Sequence, residues 1–212
     1  MTTQEGFDRG VKFSDIKKSL IDAYNQTLNE FNDIDPNDRY FASKRRKKTH
    51  RLLYILIAII QLFNGSRISE ACKAFRKMLE ERDFDSRVKV KISKSESIKY
   101  KKDGEQYTTK PRYRFIIFPI AWVSKDTFPD KHLYCSVMYV REDAIKKRVL
   151  DYLLKHHECN THSLRYAYIN HMLYVKKTEP TLVAKHVGHS NTAQLVRYTQ
   201  RIESDKLFDM DL

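Results

Sequence analysis

The most constraining feature of this chain is an apolar run over 52–60, continued by Leu62 and Phe63 and flanked by charge. Spanning a bilayer takes about 20 apolar residues. The run is shorter and reads as a buried core helix. With 212 residues, the chain can build one substantial domain, or a domain with a short extension. Forty Lys and Arg against 27 Asp and Glu leave a net charge of +13. That surplus is the electrostatic footprint of a polyanion partner, nucleic acid first. Three cysteines, odd in number and far apart, make no disulfide framework and fit a reducing interior. The first ten residues are polar and carry no signal-type apolar stretch. No membrane association is expected.

Along the chain, residues 1–12 read as a tail. Ile16, Leu20, Tyr24, Leu28 and Phe31 recur at helical spacing and predict an amphipathic helix over 14–32, capped by Ser14 or Asp15. A loop with Pro36 follows. Lys44, Arg45, Arg46, Lys47 and Lys48 then stand just before the apolar helix, expected over 49–64 and ended by Gly65. This basic run reads as a contact to phosphate backbone, with a solvated helix entry or a targeting patch as the plainer alternatives. A helix over 67–81 comes next, in which Arg67 and Glu70 alone would make an ordinary i,i+3 charge pair. From Arg87 the period changes to two. Val88, Val90 and Ile92 alternate with Lys89, Lys91 and Ser93 as a half-buried strand with a basic face. Asp103-Gly104 signals a turn, and Tyr113, Phe115 and Ile117 alternate up to Pro119, so a hairpin is expected.

A helix over 142–156 should turn Ile145, Val149, Tyr152 and Leu153 inward, and Asn160 or Thr161 should cap another over 162–175. Pro180 opens a helix over 181–185, Gly188 breaks it, and a short helix is expected over 192–198. The cluster His156, His157, Cys159 and His162 matches no standard spacing of zinc ligands, so no metal is expected.

The C-terminal third holds three residue types that one chemistry needs together. A phosphodiester attacked by a phenol develops negative charge on its non-bridging oxygens, and cationic donors aimed in advance stabilise that charge. Arg165 can offer a planar fork to two such oxygens. In a helix begun at His162, Arg165 lies on the same face at i,i+3, so both can reach one phosphate. His162 and His189 can add donors or move a proton. Tyr198 can serve as nucleophile.

The order and spacing of these boxes resemble the catalytic domain of the tyrosine recombinase (phage integrase) family over roughly 39–201. That family's pattern has a His-x-x-Arg box, filled here by His162 and Arg165. A Gly-His-Ser box follows, here Gly188, His189 and Ser190, with a tyrosine nine residues after its histidine, here Tyr198. It also carries an upstream Gly-x-Arg-x-x-Glu box, here Gly65 to Glu70. His186 is the alternative to His189, and Tyr166, Tyr168 and Tyr174 compete with Tyr198 but are expected to pack.

The resemblance implies an α+β fold, mainly helical with a small antiparallel sheet. It implies Arg67 as a second phosphate clamp supported by Glu70, and a catalytic lysine in the hairpin. Lys94 is favoured and Lys99 is second, among Lys91, Lys101, Lys102 and Lys110. The organisation expected is a tail and helix over 1–38, a catalytic domain over 39–201, and a C-terminal tail over 202–212 that docks on a neighbouring protomer or packs on its own domain. The implied partners are double-stranded DNA and further copies of the chain assembled on it, inside a prokaryotic host or the host of a mobile element. No cofactor is implied, because the phosphotyrosyl link retains the bond energy. A type IB topoisomerase and a catalytically silent DNA-binding module of the same fold are the alternatives.

Overall fold

A computed structural model describes residues 10–92, 98–100, 104–124, 133, 140–189 and 191–195, with backbone alone at 98–100 and 107. The architecture is α+β and mainly helical. Helix α1 (Phe13–Asn32) buries Ile16, Leu20, Tyr24, Leu28 and Phe31, the stripe its spacing predicts. Its cap is not the predicted one. Lys12 holds the N-cap position without a side-chain bond, and the Ser14 hydroxyl donates to the Asp15 carboxylate instead.

Helix α2 (Phe41–Asn64) is the centre of the molecule. Leu52, Leu53, Ile55 to Ile60 and Leu62 are all buried in the main core, and α1 and α3 (Ile68–Glu81) pack against it. A helix apolar on every side has no other stable place. It begins eight residues earlier than expected, because Asp38 organises its entry by accepting from Tyr40 N and pairing with Lys44. The basic run Lys44 to Lys48 therefore lies within α2 and not before it. Arg67 is likewise the N-cap of α3 and not its first turn.

The β segment corrects the sequence reading most. Strand β1 (Val88–Lys91) pairs antiparallel with β4 (Tyr113–Ile116), the expected pairing, and β2 (Ile98–Tyr100) with β3 (Gln106–Thr108) forms a second short sheet between them in sequence that was not expected. The apolar alternation Tyr113, Phe115, Ile117 faces outward: Tyr113 is 51% and Phe115 56% exposed. The inward residues are Arg114, Ile116 and Phe118. Pairing decides this, since Val88 sits opposite Ile116 and Val90 opposite Arg114, and side chains opposite one another share a face. A guanidinium thus occupies a core position.

Helix α4 (Glu142–His157) buries the four predicted residues Ile145, Val149, Tyr152 and Leu153. Helix α5 (Thr161–Asn170) is capped by Asn160, whose side chain accepts from Ser163 N at 2.9 Å. The single helix expected over 162–175 instead widens after Asn170 into a π turn over His171–Val175, where Lys176 N donates to His171 O. Helix α6 (Pro180–Val187) joins Tyr168, Ile169 and Leu195 in a second, smaller core through Val183, Ala184 and Val187. Among the described residues, no single helix is long and apolar enough to cross a membrane.

Candidate oxyanion site

Two helices end the same way, and the site is built on those endings. After α2, Gly65 adopts φ 56°, Gly65 N donates to Leu62 O, and Ser66 N donates to Gln61 O. After α6, Gly188 adopts φ 78°, Gly188 N donates to Lys185 O, and His189 N donates to Ala184 O. Both are Schellman endings, which leave further terminal carbonyls in need of donors. Glycine is required twice over at Gly65. A Cβ there would meet the Tyr168 ring at 2.2 Å, and one on Gly188 would meet Ile92 Cδ1 at 3.0 Å.

Arginines fill the remaining carbonyls. Arg165, 2% exposed, donates through Nη1 to Gly65 O at 2.6 Å and through Nη2 to Val187 O at 2.8 Å. Arg114 donates through Nη2 to Asn64 O. The negative ends of both helix dipoles therefore face buried cations. Partial charges of this kind make a guanidinium tolerable in the interior without cancelling its full charge. Gln61 Nε2 donates to Ser66 O and, at 2.7 Å, to Thr161 O, which ties the α2–α3 link to the start of α5.

One carboxylate enters this group of arginines. Glu70 is fully buried, accepts from Arg67 N and Nη1 at 3.1 Å each, and faces Arg114 Nη1 at 3.6 Å. Two guanidiniums share this acid, and a third donates to carbonyls. Burial lowers Arg114 to about 10, partly opposed by Glu70, which still leaves it charged at neutral pH. His189 is pulled down to about 4, first by burial and then by Arg165, Arg67, Arg112 and Arg114. Arg112 Nη1 also reaches His189 O at 3.4 Å. His186 stacks on Tyr168 with ring centres 5.6 Å apart. Although one side of it is open to solvent, partial burial and Arg114 lower it to about 4 as well. Both imidazoles are neutral near pH 7. Such a site suits a tetrahedral oxyanion, with fixed cations as donors and a neutral imidazole able to donate one more hydrogen bond.

The structure thus brings together Arg67, Glu70, Arg165 and His189, from three separate stretches of sequence. His162 is exposed in the first turn of α5, one turn before the buried Arg165. Lys94, Ser190 and Tyr198 lie outside the described residues, as does the tail over 202–212, and the Lys99 side chain is not described. Arg112, Arg114 and His186's place beside Arg114 were not anticipated. The legible signal was a charged residue at position 114, in phase with Ile116 and Phe118. In the basic run, Lys44 pairs with Asp38, Lys48 pairs with Glu30, and Arg45 lies 4.4 Å over the Phe31 ring. Arg46 and Lys47 point to solvent.

Viral integrases are the proteins that this chain resembles in sequence. The chain is 42% identical over 209 residues to the protein named "Putative integrase V10" of Sputnik virophage, covering 97% of this chain and 90% of that one. It is 30% identical over 196 residues to "Putative integrase ORF241" of Acidianus two-tailed virus, covering 92% of this chain and 64% of that one. No protein-family model matches it. The chain belongs to the viral integrase family that these relatives represent.

Proposed function

We propose that the chain is a tyrosine-type site-specific recombinase acting on double-stranded DNA. The observation that carries this reading is Arg165, gripped by the carbonyls of two helix ends beside His189 and Arg67. A fork held that rigidly is what a phosphorane-like transition state requires. In this reading Tyr198 attacks the scissile phosphate and forms a 3′-phosphotyrosyl link. Lys94 protonates the departing 5′-oxygen, and attack by a 5′-hydroxyl of a partner strand reverses the step. Arg67, Arg165, His162 and His189 hold the phosphoryl oxygens. Tyr198 is assigned on its spacing of nine residues from His189.

Arg46 and Lys47 are the members of the basic run assigned to phosphate backbone, and assembly of several copies on DNA completes the proposal. A covalent trap tests it. Protein is incubated with supercoiled or nicked suicide DNA in EDTA, then quenched with detergent. A protein–DNA adduct formed by wild type and lost in Tyr198→Phe is expected. An adduct that survives Tyr198→Phe would remove this nucleophile from the mechanism.

A further inference from the structure

We propose that Arg114 is a positioning residue of this site, which sets the Arg67 guanidinium by sharing Glu70 with it. The inference rests on the recombinase reading above for its catalytic consequence, but not for its phosphate-binding consequence. It starts from misplacement. Position 114 lies on the inward face of β4, opposite Val90 and in phase with Ile116, and its side chain is 4% exposed. A buried ion pair is rarely the best way to fill a core, since apolar residues of similar volume are often as stabilising or more so. Stability alone therefore gives no reason for an arginine at this point.

Its contacts do give one. Arg114 Nη2 donates to Asn64 O, the carbonyl just before the one that holds Arg165. The Asn64 side chain in turn donates to Ile117 O and accepts from Ile117 N, so the end of α2 and the end of β4 are clamped around the guanidinium. Nη1 faces Glu70 Oε2, while Oε1 takes Arg67 Nη1. Nη2 also lies 3.5 Å from His186 Nε2. Arg114 spends its fork on Asn64 O and Glu70, so its influence passes through these neighbours. With Arg114 in place, Glu70 divides its charge between two cations, and Arg67, whose side chain is 29% exposed, keeps attraction to spare for an incoming phosphate. Without it, more of the carboxylate charge falls on Arg67 and draws its fork back toward the protein.

A double-mutant cycle separates this role from a merely structural one. Arg114→Met, Glu70→Gln and the double variant are compared with wild type in single-turnover adduct formation on suicide DNA. Affinity for inorganic phosphate is measured in parallel by thermal shift. Arg114→Met is expected to stay folded, slow adduct formation about 10- to 100-fold, as loss of supporting residues does at other sites, and weaken phosphate binding several-fold. In the Glu70→Gln background the same replacement should cost little more, because no carboxylate remains to redistribute. Arg114→Lys keeps the charge but not the fork to Asn64, and should fall between wild type and Met. It also serves if the Met variant does not fold. Equal losses in both backgrounds, or full activity and phosphate affinity in folded Arg114→Met, would overturn the inference. If wild type forms no adduct, the recombinase reading fails, and the phosphate cycle still decides the role of Arg114.

Discussion

The two ends of α2 carry two sets of cations, and the molecule treats them in opposite ways. At the N-terminal end, Lys44 and Lys48 are paired with Asp38 and Glu30, Arg45 lies over Phe31, and Arg46 and Lys47 are solvated. Those charges sit against the positive end of the helix dipole and depend on local acids and water. At the C-terminal end, Arg114 and Arg165 are buried and held by carbonyl oxygens, with Glu70 shared between Arg67 and Arg114. There the dipole favours the cation. The lesson is that charge count does not locate a site. The denser basic cluster in sequence stays spread over the surface, while arginines scattered from Arg67 to Arg165 converge around Glu70 and two helix ends.

Replacing Arg165 should break this contrast most severely. Arg165→Ala removes the fork and strands the Gly65 and Val187 carbonyls. Adduct formation should fall by about 10²- to 10³-fold or more, as when one oxyanion donor is lost elsewhere. Arg165→Lys should recover little of it, because an ammonium cannot span both carbonyls and a phosphate. A lysine variant within a few-fold of wild type would mean that charge, and not the fork, is what matters.

Gly65→Ala should follow, read as stability. The left-handed φ costs roughly 1–2 kcal/mol for an L-residue, and overpacking the Tyr168 ring roughly 1–3 more. Denaturant unfolding should show the sum. Gly188→Ala, whose nearest contacts are Ile92 Cδ1 at 3.0 Å and Cγ1 and Cγ2 at 3.3 Å, should cost less. Equal costs at the two positions would show that Tyr168 yields more easily than its packing suggests.

Acid should distinguish the buried end by a smaller effect. His189 titrates near 4 when folded but near its ordinary 6.5 when unfolded, so on acidification the unfolded chain takes up the proton first. Stability is fully present above about pH 6.5 and declines as pH falls toward 4. His157, lowered to about 4 in the cleft between α1 and α4, and His186 act in the same direction. The comparison is therefore wild type against His189→Gln. The variant should show a shallower slope in thermal melts across that window, and parallel slopes would place His189's titration elsewhere.

The slightest change is expected at the solvated end. Arg46→Ala with Lys47→Ala should weaken DNA binding uniformly across sequences and reduce the slope of log affinity against log salt by about one per lysine or arginine removed. Lys44→Ala and Lys48→Ala should do less, their charges already being paired. A reversed order would show that the ion pairs open on binding.

Much of the scaffold was legible because its periodicities are long. The stripe of α1, the all-apolar α2 and the inward face of α4 follow from spacing alone. The boxes around Gly65 and Gly188 were legible through the same physics that builds them, a helix ending in left-handed glycine. The β segment was misread because four-residue strands offer too little pattern. Tyr113, Phe115 and Ile117 present a better apolar alternation than Arg114, Ile116 and Phe118, and only the register with Val88 and Val90 reverses the choice. Arg114 was hidden for that reason. Its partners, Asn64 and Glu70, lie 50 and 44 positions away in sequence, and no local rule connects them.

Because α2 is one continuous helix, buried in the core from Thr49 onward, it also works as a measuring rod. From Lys47 to Gly65 the axis advances by roughly 27 Å at 1.5 Å per residue. Along a duplex strand that is about eight nucleotides at 3.4 Å each. The interval between the solvated cations and the buried fork is thus set by core packing and not by a flexible linker. One residue inserted at mid-helix would turn the two ends by about 100° against each other. The basic end would then face in a different direction relative to the site.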